Sequence, residues 1–353
     1  MAVKGGLEID ALIRQNRSFA VYRLPCEEVF YFTCQTSGSI EILPSIESLN
    51  KRNGYVIAPF HLSETCPIVL INPDEELIFE LTELNETNEK NEKVRQEPPA
   101  GYKSRFNVFT RALDRNEYDK LVLSHCLNVP KKAGFSPSSL FYKACKQYKH
   151  SYVYLFHTPQ TGTWLGSSPE LLLSGKENRW HTVALAGTMP LRNGLLPEVW
   201  DDKNRVEQQL VTDYVRKCLL SFDICPEEEG PYTVQAGELA HLRTDFFFSL
   251  SGNQSIGNLL NTLHPTPAVC GLPKEKSLRF IHENEEYDRR YYSGFVGRYN
   301  PEEQTDLYVN LRCMQIEDKQ LLLYAGGGLL ASSVLQEEWL EIEDKLQTMF
   351  GVI

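Results

Sequence analysis

The chain has 353 residues, 42% hydrophobic and 24% charged, and its 36 Lys+Arg against 47 Asp+Glu leave a formal net charge of -11. This is a globular composition with room for a large core and one or two domains. The acidity excludes a general binder of nucleic acid or of anionic membrane, since both need basic surface.

The opening run MAVKGGLEIDALIRQNRSF lacks the apolar stretch of a signal peptide, and no later segment is long and apolar enough to span a bilayer. The nine cysteines are scattered without a C-x-x-C pair, so reduced thiols in a cytoplasmic protein are expected. The eight histidines include no H-E-x-x-H pair, which argues against a zinc site. Residues 18–84 carry five short β-rich runs: SFAVYRL, EVFYFTC, GYVIAPF, PIVLI and ELIFEL. The following run, ELNETNEKNEKVRQEPPAGY (83–102), is charged and poor in apolar residues, and it reads as an exposed, mobile connection.

From Arg105 onward helices and strands alternate. RFNVFTRALDRNEYDK reads as a helix leading into a strand that opens at Lys120, and SYVYLFHTP with TGTWLGSSPELLLSG reads as a hairpin. In the helix WDDKNRVEQQLVTDYVRKCLLSF, Val206, Leu210, Tyr214 and Cys218 form one apolar stripe. SLRFIHENEEYDRRYYSGFVGRYN begins helical and ends in a strand, and DLYVNLRCMQIEDKQLLLYAGGGLL reads as a hairpin turning at Glu317–Gln320. The last helix spaces Leu335, Trp339, Ile342, Leu346 and Met349 by three and four, with Ser333 and Gln336 placed for a capping box. Strands joined by both hairpins and helices imply an α+β fold with layered antiparallel sheets.

Several side chains admit a chemical reading beside a plain one. Lys120 is either an edge lysine whose stem lies on apolar surface while its head reaches water, or a desolvated amine able to take a proton. Glu170 is either a solvent-facing residue at a strand entrance or, beside Leu171, Leu172 and Leu173, a buried carboxyl with a raised pKa suited to a general acid. Glu207, Glu338 and Glu341 are either solvated helix positions or the carboxylates of an all-oxygen Mg2+ site. The AGGG of 325–328 is either a tight turn or a run of backbone N–H groups facing an anion, and Arg312 before it is a surface charge or a bidentate carboxylate ligand.

Nine blocks decide between these readings: YDKLVLSH, LGSSPELLLS, ALAGTMP, KNRVEQQLV, LHPTPAVCG, YDRRYYSGFVG, NLRCMQI, LYAGGG and EEWLEIEDKL. In this order they resemble the chorismate-utilising enzymes from about Arg105 to the C-terminus, and most of all the isochorismate synthases. The resemblance implies two layered antiparallel sheet-and-helix halves around a central cleft. Residues 1–104 would be a shortened N-terminal part, 105–353 the chorismate-binding catalytic region, and the whole one continuous domain. It also implies a Mg2+-dependent isomerase that takes chorismate to isochorismate, a product that feeds quinone or siderophore synthesis. No nucleic-acid or membrane partner is expected, and a monomer is favoured.

Carried over by position, Lys120 resembles the base that activates water, and Glu170 the acid that protonates the departing hydroxyl. Glu207 and Glu341 resemble the Mg2+ carboxylates, with Glu338 nearby. Arg312, Gly326 and Gly328 would hold the enolpyruvyl carboxylate, while Gly187, His241, Ala268, Val269, Tyr292, Leu311 and Lys345 match pocket-lining positions. The ammonia-using relatives resemble one another in carrying glutamine in place of Lys120, and one of them carries a lysine in place of Ala186. Salicylate synthases share the lysine, which keeps salicylate synthesis with pyruvate elimination as the alternative, but they tend to have threonine where Ala268 stands, which argues against that elimination.

Overall fold

The computed structural model describes residues 8–81, 97–191, 193–250 and 256–353. Two nine-stranded sheets form its frame. The first runs, edge to edge, through Gly271–Leu272, Lys120–Pro130, Gln320–Leu329, Cys313–Ile316, Gly162–Ser168, Tyr152–Thr158, Ser18–Arg23, Val29–Gln35 and Glu75–Glu80. The second runs through Glu227–Ala236, Leu239–Phe248, Arg179–Pro190, Leu171–Lys176, Thr305–Val309, Phe295–Tyr299, Gly54–Ala58, Ile68–Ile71 and Glu41–Leu43. Every neighbouring pair is antiparallel. Both sheets draw strands from either side of the charged run, whose residues 83–96 lie outside the described residues.

Strand alternation sorts the core into layers. Phe19 and Val21 pack with Phe109, Phe141 and Trp339 against helices on the outside of the first sheet. Ala20 and Tyr22 of the same strand point inward and meet Tyr55, Ile57 and Tyr308 of the second sheet. Val56 and Ala58 face outward again, onto Val211, Val215 and Leu259 of the helices covering the second sheet. The order is therefore helix, sheet, sheet, helix, and the expected α+β architecture holds. With helices outside and a second sheet inside, central strands are buried on both faces, which explains their unbroken apolar runs.

Four local expectations are corrected. The helix before Lys120 starts at Ala100 rather than Arg105, because Tyr102 adds a buried ring to its inner face. DLYV and CMQI do not continue one hairpin: Thr305–Val309 belongs to the second sheet and Cys313–Ile316 to the first, and the chain crosses between them at Asn310–Arg312. The glycines of AGGG lie inside the strand Gln320–Leu329, paired along its length with Lys120–Pro130, and form no turn. The last helix, Leu335–Phe350, has no side-chain cap: Ser333 Oγ instead accepts from Leu330 N at 3.1 Å and donates to Glu338 at 2.7 Å.

Candidate active site

Lys120 opens the strand Lys120–Pro130 on the side of Val122 and Ser124, opposite the core residues Leu121 and Leu123. It is 0% exposed. The short strand Gly271–Leu272 closes over it, Asp119 N donating to Leu272 O at 2.9 Å and Val122 N to Cys270 O at 2.8 Å. This rules out the snorkelling edge lysine. The amine is instead 2.9 Å from Glu207 Oε1.

Glu207 reaches that point because its helix, Asp202–Leu220, is anchored by its N-cap. Asp201 accepts from Asn204 N at 2.9 Å, and Asn204 Oδ1 in turn accepts from Thr188 N at 2.8 Å. The buried face is Asn204, Glu207, Gln208, Val211 and Val215, whereas Val206 is 51% exposed. The predicted stripe is thus rotated by about one residue, because polar groups at the N-terminal end of the helix face the site. Gly187 sits at φ +73 where the neighbouring strand bulges, and a Cβ there would lie 3.1 Å from Asn204 O. The glycine admits both the bulge and the helix start.

Glu170 is 4% exposed, at the entrance of Leu171–Lys176. Ser168 Oγ accepts from its N–H at 3.3 Å, and its carbonyl accepts from Val309 N at 3.0 Å. Thr266 Oγ1 lies 3.5 Å from Glu170 Oε1. Burial raises the carboxyl to about 7, against the pull of Lys120, Lys345, Thr266 and Arg312. The apolar neighbours had pointed in this direction.

Arg312 enters at φ +46, in the crossing between the sheets, and is 6% exposed. Its Nη2 lies 3.1 Å from His241 Nε2, and its Nη1 donates to Thr348 Oγ1 at 3.3 Å. A guanidinium only donates, so His241 Nε2 is the acceptor and Nδ1 carries the proton, donating to Gly187 O at 3.0 Å. Burial and the Arg312 and Lys345 charges push this imidazole down to about 3, so it stays neutral.

One cavity collects most of the expected residues. Gly187, His241, Ala268, Val269, Tyr292, Leu311, Arg312, Gly326, Gly328 and Lys345 all line it, together with Glu170 and Glu207. Lys120 lies behind Glu207, and Glu338 and Glu341 stand on the last helix outside the lining. Val122, Pro169, Leu185, Thr188 and Ala325 line it as well and had not been assigned a role, although all five fall within the quoted blocks.

Each of the three glutamates is held by its own lysine. Glu207 meets Lys120, Glu338 meets Lys203 at 2.6 Å, and Glu341 meets Lys345 at 2.5 Å. Among the described residues no three acidic, His or Cys side chains already converge as a metal cluster. The donor set nonetheless suits a hard cation. Glu338 Oε2 is buried without a partner, and a Cβ at Gly327 would come 3.4 Å from that oxygen and 3.6 Å from Glu341 Oε1. Burial, with the Glu341 charge nearby, holds Glu338 up at about 7 although Lys203 pulls it down. For Glu341, burial is outweighed by Lys345 and Lys203, which keep it below the usual carboxylate range. Lys203 carries no local sequence signal, because its partner is distant in the chain.

A buried acid, a buried lysine–glutamate pair and an arginine stand around one cavity, the kind of arrangement that acid–base sites for small anions use. Residues 55–353 match the model of the family described as Chorismate binding enzyme, and the chain belongs to that family. It is 31% identical over 249 residues to the isochorismate synthase EntC of Escherichia coli K12, across 67% of this chain and 62% of that relative. The matched stretch therefore spans less than two thirds of that relative's length. Among solved structures, the menaquinone-specific isochorismate synthase MenF of Escherichia coli superposes with a TM-score of 0.80 at 20% identity, covering 100% of this chain and 92% of that one. DhbC of Bacillus anthracis gives 0.79 at 24%, covering 97% and 98%. At these identities the superpositions establish the fold. No helix among the described residues is long and apolar enough to cross a membrane.

Proposed function

We propose that the chain converts chorismate to isochorismate, with Lys120 as base and Glu170 as acid. The observation that carries this reading is the placement of a carboxyl held at about 7 and the buried Lys120–Glu207 pair around a single cavity. Lys120, acting in its free-amine form, takes a proton from water as the water oxygen bonds to ring C2. The ring double bonds shift, the C4–O bond breaks, and Glu170 gives its proton to the departing hydroxyl. One water enters and one leaves, and the proton taken by Lys120 returns through solvent to Glu170, so the substrate is isomerised and the enzyme is reset. Arg312, with its orientation set by neutral His241, and the backbone around Gly326 and Gly328 hold the enolpyruvyl carboxylate.

Glu207 and Glu341, with Glu338 beside them, would hold Mg2+, which when bound offsets carboxylate repulsion and draws electron density through the ring carboxylate. Ala268 at the cavity wall supports release of isochorismate rather than pyruvate elimination. The test is chromatography of products from chorismate with Mg2+ and after chelation. Isochorismate formed only with the metal is expected. Salicylate and pyruvate as the main products, or chorismate bound without any turnover, overturn the reading.

A pH dependence follows from Glu170. As an acid it must hold its proton, so kcat/KM is expected to fall as pH rises through about 7. The sign for stability is the same: the folded state binds this proton more tightly than the unfolded chain, so Glu170's contribution weakens as pH rises from the ordinary carboxylate range toward 7. A pH–rate profile without a descending limb in that region would remove Glu170 from the acid role.

A further inference from the structure

Behind the cavity wall lies an ion pair that no step of the proposed reaction uses. Arg289 and Glu285 are 2% and 1% exposed, with Arg289 Nε and Nη2 at 2.5 and 2.7 Å from the two Glu285 oxygens. Nη1 also donates to Val269 O at 2.7 Å, and Nη2 to Val122 O at 2.8 Å. Glu285 Oε1 accepts from both Ser124 N and Ser124 Oγ at 2.7 Å. The guanidinium lies 4.4 Å from the centroid of the Phe60 ring.

The two carbonyls belong to opposite arms of the site. Val122 is two residues beyond Lys120 on the same strand and lines the cavity. Val269 lines it too, and its N–H donates to Thr266 O at 3.1 Å, closing the turn whose Thr266 hydroxyl approaches Glu170. One planar guanidinium therefore grips the strand that carries the base and the turn that abuts the acid. Stability alone is a weak reason for this arrangement, because a buried ion pair is often no better than apolar residues of the same volume. The two segments are already joined through the backbone, Val122 N to Cys270 O at 2.8 Å. Registry is the better reason.

We propose that Arg289, held by Glu285, is a positioning residue that sets the placement of Lys120 relative to Glu170 across the cavity. The proposal rests on the acid–base reading above.

Arg289→Lys keeps the charge and a contact with Glu285, but an ammonium lacks the rigid fork that spans both carbonyls. The variant is expected to melt as a folded protein and to keep KM for chorismate within about twofold of wild type. Its kcat should fall roughly ten- to a hundred-fold, the scale of an ångström of misplacement. A role confined to packing would change the melting temperature without that split between kcat and KM. Glu285→Gln, nearly isosteric, provides a second variant with the same expectation.

Wild type is assayed alongside. If wild type forms no isochorismate, the acid–base reading fails and this proposal with it. If wild type is active and the folded variants keep kcat within about threefold, too small for an ångström of displacement, positioning alone is overturned. It is also overturned if neither variant folds, since the pair is then a folding element.

Discussion

Lys120→Ala is expected to lower isochorismate formation by roughly 10²–10⁴-fold, the range for removing a general acid or base. Two consequences of the substitution must be kept apart. The first is chemical: no other amine is placed where Lys120 is, since Lys203 and Lys345 are committed to Glu338 and Glu341. The second is electrostatic: Glu207 loses the partner 2.9 Å away and is left largely buried with its charge. Removing one member of a buried pair costs about 3–5 kcal/mol when the other stays charged. The double variant Lys120→Met with Glu207→Gln separates the two. It neutralises both partners, so the melting temperature should recover much of the loss while turnover stays abolished. Steady-state rates and thermal unfolding on the three proteins provide the check. A Lys120→Ala enzyme that keeps more than a tenth of its rate would refute the base assignment.

The lining of the cavity was more legible than the packing. Lys120, Glu170, Glu207 and the lining residues lie in short runs whose order is independent of where the core falls, and the cavity gathers all but Lys120, Glu338 and Glu341 into its lining. The errors share one cause. A stripe through Val206 assumes that the buried side of a helix is apolar, but Asn204, Glu207 and Gln208 are buried because they face the site and the neighbouring strand. A glycine run signals a turn when only local conformation is weighed, whereas these glycines sit in a strand and make room for other side chains. The Ser333 capping box failed because Glu338 took the hydroxyl. Lys203 and Arg289 were invisible for a different reason: their partners across the fold, Glu338 for one and the carbonyls of Val122 and Val269 for the other, leave no periodic trace.

Gly328→Ala should be nearly as damaging as losing Lys120. Gly328 lies opposite Val122 in the strand pair, and its backbone is not in the left-handed region, so alanine meets no conformational penalty there. Space decides the outcome. An added Cβ would lie 2.1 Å from Glu207 Oε1, 2.9 Å from Glu207 Cδ and 2.8 Å from Lys120 Cε. All three contacts are too close for non-bonded atoms, and the atoms struck belong to Lys120 and its carboxylate partner. Relief requires Glu207 to swing away by about an ångström, which costs on the order of a hundred-fold in rate when it displaces reacting groups. Overpacking should cost a further ~1–3 kcal/mol of stability. Shortening the carboxylate tests the cause. Gly328→Ala combined with Glu207→Asp withdraws the clashing oxygen by one methylene, so the melting temperature should rise relative to Gly328→Ala alone. Activity should not return, because the shortened side chain no longer reaches Lys120. If Gly328→Ala instead turns over chorismate at the wild-type rate, the close approach of Glu207 and Lys120 over this glycine is not needed for the chemistry, and the pair has been assigned the wrong role.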